Sequence, residues 1–188
     1  MRYSDSHQKV YSLKIMNLLL RCCSECENAA KELALTFSGV TSNQVYAGNK
    51  NFSQIGLLIT RQILLHLKEV EIVWPHQDLS QVVIKPFSRW KPNNCKNPTW
   101  FDAYNVVKHG RNQNIQKCNY GNLIKALTGL FMLNLYLKKS DLEGSNGWVA
   151  SDKELISLSE FFSPKRLLKK TGTVRSFGSG TPKYIFKI

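Results

Sequence analysis

Acidic side chains are scarce in this 188-residue chain: 13 Asp and Glu stand against 26 Lys and Arg, a formal net charge of +13. A surplus of that size points to polyanionic partners such as RNA, DNA, nucleotides or an anionic membrane face. Long apolar runs are also missing. The longest, Ala126 to Leu137, falls short of the ~20 residues a spanning helix needs. The stretch "MRYSDSHQKVYSLKIMNLLL" has neither a long apolar region nor a small-residue cleavage site, so no secretory signal is expected. No internal repeat and no low-complexity tract is present, which removes solenoid arrays from consideration.

Cysteine is present in an odd number: Cys22, Cys23, Cys26, Cys95 and Cys118. With no secretory signal, that count argues for reduced thiols and a cytoplasmic setting. Cys23-x-x-Cys26 has redox or zinc spacing, but no second pair follows and no nearby His completes a ligand set. Cys22, Cys26 and Ala29 fall on one helical face beside leucines, so these cysteines read as small buried hydrophobes. No metal and no cofactor is expected, and a zinc or thiol-redox protein is the weakest of the readings.

What is there suffices for a core: 43% hydrophobic and 11% aromatic residues, which excludes global disorder. Residues 10–36 read as a long helix with Ile15, Leu19, Cys22, Cys26, Ala29 and Leu33 on one stripe. Arg21 to Glu25 and Glu27 to Lys31 are opposite charges four apart. Ser, Gly and Asn crowd "TFSGVTSNQVYAGNKN", which reads as a loop. A second helix is expected over 52–68, carrying Ile55, Leu58, Ile59, Ile63, Leu64 and Leu67. "VEIVWP" and "LSQVVIKPF" are β-branched and stopped by proline, so 70–97 reads as an extended or irregular insertion holding a small hairpin. Asn97 as N-cap and Pro98 at the first helical position open a third helix running to Arg111. A fourth, 119–139, is apolar nearly all round and is expected to be the most buried. Ser151-x-x-Glu154 has capping-box spacing and suggests a short fifth. The expected fold is all-α: an up-and-down helical bundle over 1–163 with a small insertion, then a basic C-terminal tail over 164–188.

From Pro164 onward there are seven Lys or Arg and no acid. Lys165, Arg166, Lys169, Lys170 and Arg175 are candidate nucleic-acid contacts if this segment is a phosphate-binding arm; the alternative is a solvated like-charge tail, with "SFGSGTPKYIFKI" ending in a short strand.

The third helix, "TWFDAYNVVKHGRNQ", holds the other candidates. Trp100, Tyr104, Val107 and Arg111 share one side; Asp102, Asn105, His109 and Asn112 share the other. The first side reads as core, with Arg111 leaving the bundle as the helix ends. His109 stands between Lys108 and Arg111 and before Gly110. Imidazole is a proton carrier near neutrality and the cations favour a phosphate, which suits phosphodiester chemistry. A solvated face is the plain alternative.

"Tyr104-Asn105-Val106-Val107-Lys108-His109-Gly110" resembles the signature helix of the HEPN superfamily, helical nucleotide-associated domains of bacterial toxins and antiviral systems. "ALTGLFMLNLYL" is similar to that family's buried partner helix, and "SECENAAKEL" to its first helix, where an acid, here Glu25, can lie near the motif. The resemblance implies a candidate catalytic set of His109, Asn105, Arg111, Lys108 and Glu25, with Arg and His paired across a homodimer. It implies an RNA- or nucleotide-interacting protein and, where catalysis is kept, a divergent metal-independent endoribonuclease of bacterial stress or phage defence, with a partner antitoxin or defence protein. The family's Arg would fall at Asp102, Ala103 or Tyr104, none of which is Arg. Lys108 and Arg111 are the cations left to replace it. The other reading is a non-catalytic helical dimerisation or adaptor module whose basic tail binds nucleic acid.

Overall fold

The first long apolar stripe folds as expected. Ser12 accepts the Ile15 amide proton and starts α2 (Leu13–Leu35). Met16, Leu19, Cys22, Cys23, Cys26, Ala29, Ala30 and Leu33 line its buried face. Of the two charge pairs on its surface, Glu27–Lys31 closes at 2.9 Å. Arg21 and Glu25 form no ion pair within 4 Å. The computed structural model describes residues 5–72 and 82–138, together with three strands at 162–163, 168–173 and 182–186.

Before α2 lies the single turn α1 (Asp5–Gln8). After it, the expected loop contains α3 (Ser42–Tyr46), closed by a capping box in which Thr41 and Gln44 satisfy each other's backbone amides. Gly48, at φ +73, supplies the left-handed step that returns the chain toward α4. Asn51 and Gln54 form a second capping box at the start of α4 (Phe52–Thr60).

α4 is shorter than its apolar pattern predicts. The Thr60 hydroxyl donates back to the Leu57 carbonyl, and both Gln62 and Ile63 amides converge on the Ile59 carbonyl. The chain then turns into a 3-10 segment, Leu65–Leu67. Leu65 is fully buried, whereas Leu64 and Leu67, assigned to the helical stripe, are 43% and 58% exposed. The run "ILLHL" satisfies burial through one leucine in a tight turn, so helical spacing is not what it serves.

Of the expected extended insertion, the described residues 70–72 and 82–97 contain short strands, and they form a wall of the core. β1 (Val70–Ile72) pairs antiparallel with β2 (Val82–Ile84), Val70 facing Ile84. β3 (Trp90–Lys91) and β4 (Asn94–Cys95) form a tight hairpin inside what reads as loop. Phe87 and Trp90 are fully buried and stack at 4.3 Å. Phe52 of α4 lies 4.9 Å from Trp90 and 4.0 Å from Phe101. Trp90 presses so close to α4 that a Cβ on Gly56 would sit 2.5 Å from its ring.

α5 (Thr99–His109) starts one residue later than expected and ends two residues earlier. Pro98 is the N-cap, its carbonyl accepting from Phe101 and Asp102, and no side chain caps the helix. The Asn97 Oδ1, expected to cap it, is buried with no hydrogen-bond partner among the described residues. The Trp100 indole N–H donates to the Pro86 carbonyl at 2.9 Å, joining α5 to the 82–95 wall. α6 (Arg111–Asn114) and a 3-10 turn (Ile115–Lys117) lead into α7 (Tyr120–Leu137).

α7 is the central helix. Leu123, Ile124, Ala126, Phe131, Met132, Leu133, Leu135 and Tyr136 are buried, and Leu127 and Leu130 are partly buried. Its main partner is α2, and the two enter from the same end: the Val10 carbonyl accepts from Tyr120, Tyr11 bridges Asn119, and the Cys26 thiol donates to the Ala126 carbonyl. No described helix is long and apolar enough to cross a membrane.

Of the region read as a fifth helix, residues 151–161 lie outside the described residues; Phe162–Ser163 forms β5, which pairs with β1. In the basic tail, β6 (Leu168–Thr173) and β7 (Pro182–Phe186) pair antiparallel, with an irregularity between Lys170 and Gly172. The short strand expected near the end is therefore present and has a partner. The expected mostly helical fold is present among the described residues, and its β structure there, three small antiparallel sheets, reaches beyond the expected insertion.

Cys22, Cys23, Cys26 and Cys118 are free and buried, and Cys95 is half-buried. Burial pushes Cys95 and Cys118 up to about 11 and Cys23 and Cys26 well above their ordinary value. The folded state therefore holds these protons more tightly than the unfolded chain. Their contribution to stability is complete below about pH 9 and falls as the pH rises above it, through about 11 for Cys95 and Cys118 and beyond that for Cys23 and Cys26. Melting scans at increasing pH should show Tm falling between pH 9 and 11 by more than in a variant with Cys23, Cys26 and Cys118 changed to Ala. A second expectation concerns Gly56→Ala. Helix propensity favours Ala by ~1 kcal/mol, but the Trp90 clash opposes it with an overpacking cost of about 1–3 kcal/mol. Net destabilisation in urea is expected, relieved when Trp90→Phe is combined with it.

Candidate nucleic-acid interface

Trp100, Phe101, Tyr104 and Val107 are all buried, and together they fix the rotation of α5. The opposite face then carries Asp102, Asn105, Val106 and His109. Asp102 binds Arg89 at 2.7 Å, both side chains partly open to solvent, a pair worth ~0–1 kcal/mol. Asn105 is half-buried and His109 exposed. The Lys108 ammonium lies 5.4 Å from the Tyr104 ring centre, so the aromatic that packs the helix also steers a cation.

Gly110 closes α5 by donating to the Val106 carbonyl and opens α6 at φ −150, so it is not there for a left-handed turn. Its role is space: a Cβ would lie 3.0 Å from the Asn114 amide, which donates to the Gly110 carbonyl at 2.9 Å. The carboxamides that follow act similarly. Gln116 donates to the Gln113 carbonyl, Asn119 to that of Gln116, and Asn122 to that of Lys117, while Asn119 also accepts the Asn122 amide proton as N-cap of α7. The polar run "RNQNIQKCNYGN" is thus a chain of backbone staples.

Arg111, expected to continue the α5 stripe, instead begins α6, exposed, and reaches the Asn17 side chain on α2 at 3.4 Å. This contact brings the end of α5 beside the second turn of α2. The start of α7 is tied to the same place through Val10 and Tyr11. One end of the helical unit therefore gathers Lys9, Lys14, Lys108, Arg111, Lys117 and Lys125. None of the six has an ion pair among the described residues. The segments they come from contain no Asp or Glu from Ser6 to Ser24 or from Ala103 to Lys138.

The structure thus places His109, Lys108 and Arg111 together at this end, with Asn105 one turn back along α5. Glu25 does not join them: it lies eight residues beyond Asn17, roughly 12 Å farther along α2, exposed. At the positions where the resembled family carries Arg, Ala103 and Tyr104 are buried and Asp102 faces out. The arginine on that face is Arg89, which the sequence reading did not single out. It also passed over Lys9, Lys14, Lys117 and Lys125, although the acid-free stretch around the last two is as plain as that of the tail. Of the tail candidates, Lys169 and Lys170 lie in β6 opposite Ile185 and Tyr184; Lys165, Arg166 and Arg175 fall outside the described residues. No group of three metal-ligating side chains occurs among the described residues. No protein-family model, no curated protein and no solved structure matches the chain.

Asn119→Ala removes the N-cap of α7 and a link between two turns. A stability loss of about 1 kcal/mol is expected, with hydrogen exchange accelerated at Asn122 and Leu123 and unchanged in the middle of α2.

Proposed function

We propose that this chain is a HEPN-like helical module that binds RNA through the basic end where α2, α5, α6 and α7 meet. The observation that carries the reading is six cations, Lys9, Lys14, Lys108, Arg111, Lys117 and Lys125, on segments that meet at one end, none with an ion pair among the described residues. Like charges on one surface repel over a Debye length of about 8 Å at physiological ionic strength. A phosphate backbone relieves that repulsion and releases its own counterions. The Lys and Arg of 164–188 extend the same complementarity as a second contact region. The setting in stress response or phage defence, with a cognate partner protein, comes from the family resemblance alone.

Catalysis is the second reading, favoured by the line of Arg89, Asn105 and His109 along the open face of α5. His109 there acts as general acid or base toward a ribose 2′-hydroxyl or leaving oxygen. Arg89, Lys108 or Arg111 supplies positive charge, and a second copy of the chain completes the site.

Titration of a single-stranded RNA oligonucleotide with the full chain, repeated over a range of salt, tests the binding. The logarithm of affinity should fall with that of salt. Changing Lys14, Lys108, Arg111 and Lys117 together to Gln should flatten the slope by about 0.7 per lost contact, with the circular dichroism spectrum retained. An unchanged slope in that variant removes the interface. Incubation of the same RNA in EDTA addresses catalysis: His109→Ala should cut more slowly than wild type by roughly a hundred- to ten-thousand-fold. Equal rates remove the catalytic reading and leave the binding one standing.

A further inference from the structure

Beside the bridge between Tyr11 and Asn119 the surface opens into a cleft of about 340 Å³, lined by Gln8, Lys9, Asn119, Gly121, Asn122 and Lys125. Two walls form it. One is the N-terminal segment with Gln8 and Lys9. The other is the beginning of α7, with Asn122 and Lys125 one turn apart. They are held face to face by the Tyr120-to-Val10 hydrogen bond at 2.8 Å and by the close approach of Gln8 to Gly121, where a Cβ would lie 3.1 Å from that of Gln8. Among the described residues, Lys9 and Lys125, one on each wall, have no ion pair and no carboxylate lines the cleft. Apart from one glycine the lining is cationic or carboxamide. Such a lining is more polar than apolar, and its two ammonium groups complement a phosphate.

The base has a surface next to it. Tyr11 stands opposite Asn119 across the bridge, and bridge partners have Cα atoms roughly 4.5–5.5 Å apart. Tyr11 is 52% exposed, whereas most of the other aromatics among the described residues are buried. An open tyrosine beside a paired-lysine cleft is the combination by which single strands are held without reading sequence: backbone phosphate in a positive groove, base on an aromatic face.

We infer that this cleft and Tyr11 form a one-nucleotide subsite for single-stranded RNA, with the phosphate between Lys9 and Lys125 and the adjoining base stacked on Tyr11. The inference deepens the RNA-binding reading and rests on it. The subsite selects single strands over duplex, because a base paired in a helix has no free face to offer the tyrosine. It is indifferent to which base is present, because every base has a π-face.

Fluorescence anisotropy of a labelled oligouridylate, compared with a hairpin duplex and with uridine monophosphate as competitor, tests this on the full chain. Lys9→Gln with Lys125→Gln should lower the salt slope for oligouridylate by about 0.7, the loss of one phosphate contact. Tyr11→Ala should weaken oligouridylate binding by about 5- to 150-fold, the range of one base–aromatic stack, with the slope unchanged and duplex binding unaffected. Tyr11→Phe should restore the affinity, since the ring and not the hydroxyl carries the contact. If wild type binds and the cleft variants match it while the Lys14, Lys108, Arg111, Lys117 variant is weakened, the subsite is wrong and the broader interface survives. Equal loss of duplex and single-strand binding in Tyr11→Ala also overturns the subsite. If wild type binds no RNA, both fall. Competition by the mononucleotide at concentrations comparable to oligouridylate would assign the cleft to free nucleotides and overturn the RNA-strand assignment.

Discussion

The orientation of α5 is the constraint on which the rest depends, and one indole sets it. Trp100 donates its N–H to a buried carbonyl of the 82–95 wall and meets Phe52 and Phe87 edge-on. Each such ring contact adds ~0.5–1.5 kcal/mol beyond the area it buries, and the hydrogen bond would be orphaned in the core by any rotation. Turning α5 by one residue, 100°, would drive Asp102 or Phe101 into the wrong environment. The polar face is thus held by aromatic packing on the opposite side, and the charge placement at the helix end follows from it.

The basic end shows a division of labour among polar residues. Asn and Gln between Arg111 and Asn122 spend their hydrogen-bonding capacity on backbone carbonyls and amides. They keep a compact turn ordered without any carboxylate to help. The cations at this end make almost no internal bonds: Arg111 touches Asn17, Lys108 lies over Tyr104, and Lys9, Lys14, Lys117 and Lys125 are without ion pairs among the described residues. Structure and electrostatic potential are supplied there by different residue types.

Much of this was legible in the sequence where periodicity was long. α2 and α7 were found nearly to their ends because apolar stripes of many turns leave little choice of face. The face of α5 was equally plain. Shorter elements were lost for identifiable reasons. Thr41-x-x-Gln44 and Asn51-x-x-Gln54 are capping-box spacings, but only the helix after the second was expected, since Gly and Asn around the first suggested loop. Pro98 caps α5 where Asn97 was expected, a one-residue shift that proline's fixed φ permits. "ILLHL" is apolar enough for helix or turn, and the tertiary need to bury Leu65 decided. The cluster of cations was not visible because its members lie 116 positions apart at the extremes, Lys9 to Lys125. Proximity across that separation is created by the fold and by nothing local.

That separation has a consequence for when the surface comes into being. The pairing of Val10 and Tyr11 with Asn119 and Tyr120 joins parts of the chain more than a hundred residues apart, and contacts of such span close only after the intervening loop entropy has been overcome. A nascent chain that has not reached α7 has the N-terminal wall of the cleft without its opposite wall. Its helices can form locally, yet the opposed lysines do not exist as a pair. The proposed phosphate site therefore requires α7 to have docked, and partly folded copies, despite carrying many of the same positive charges, have only its N-terminal wall.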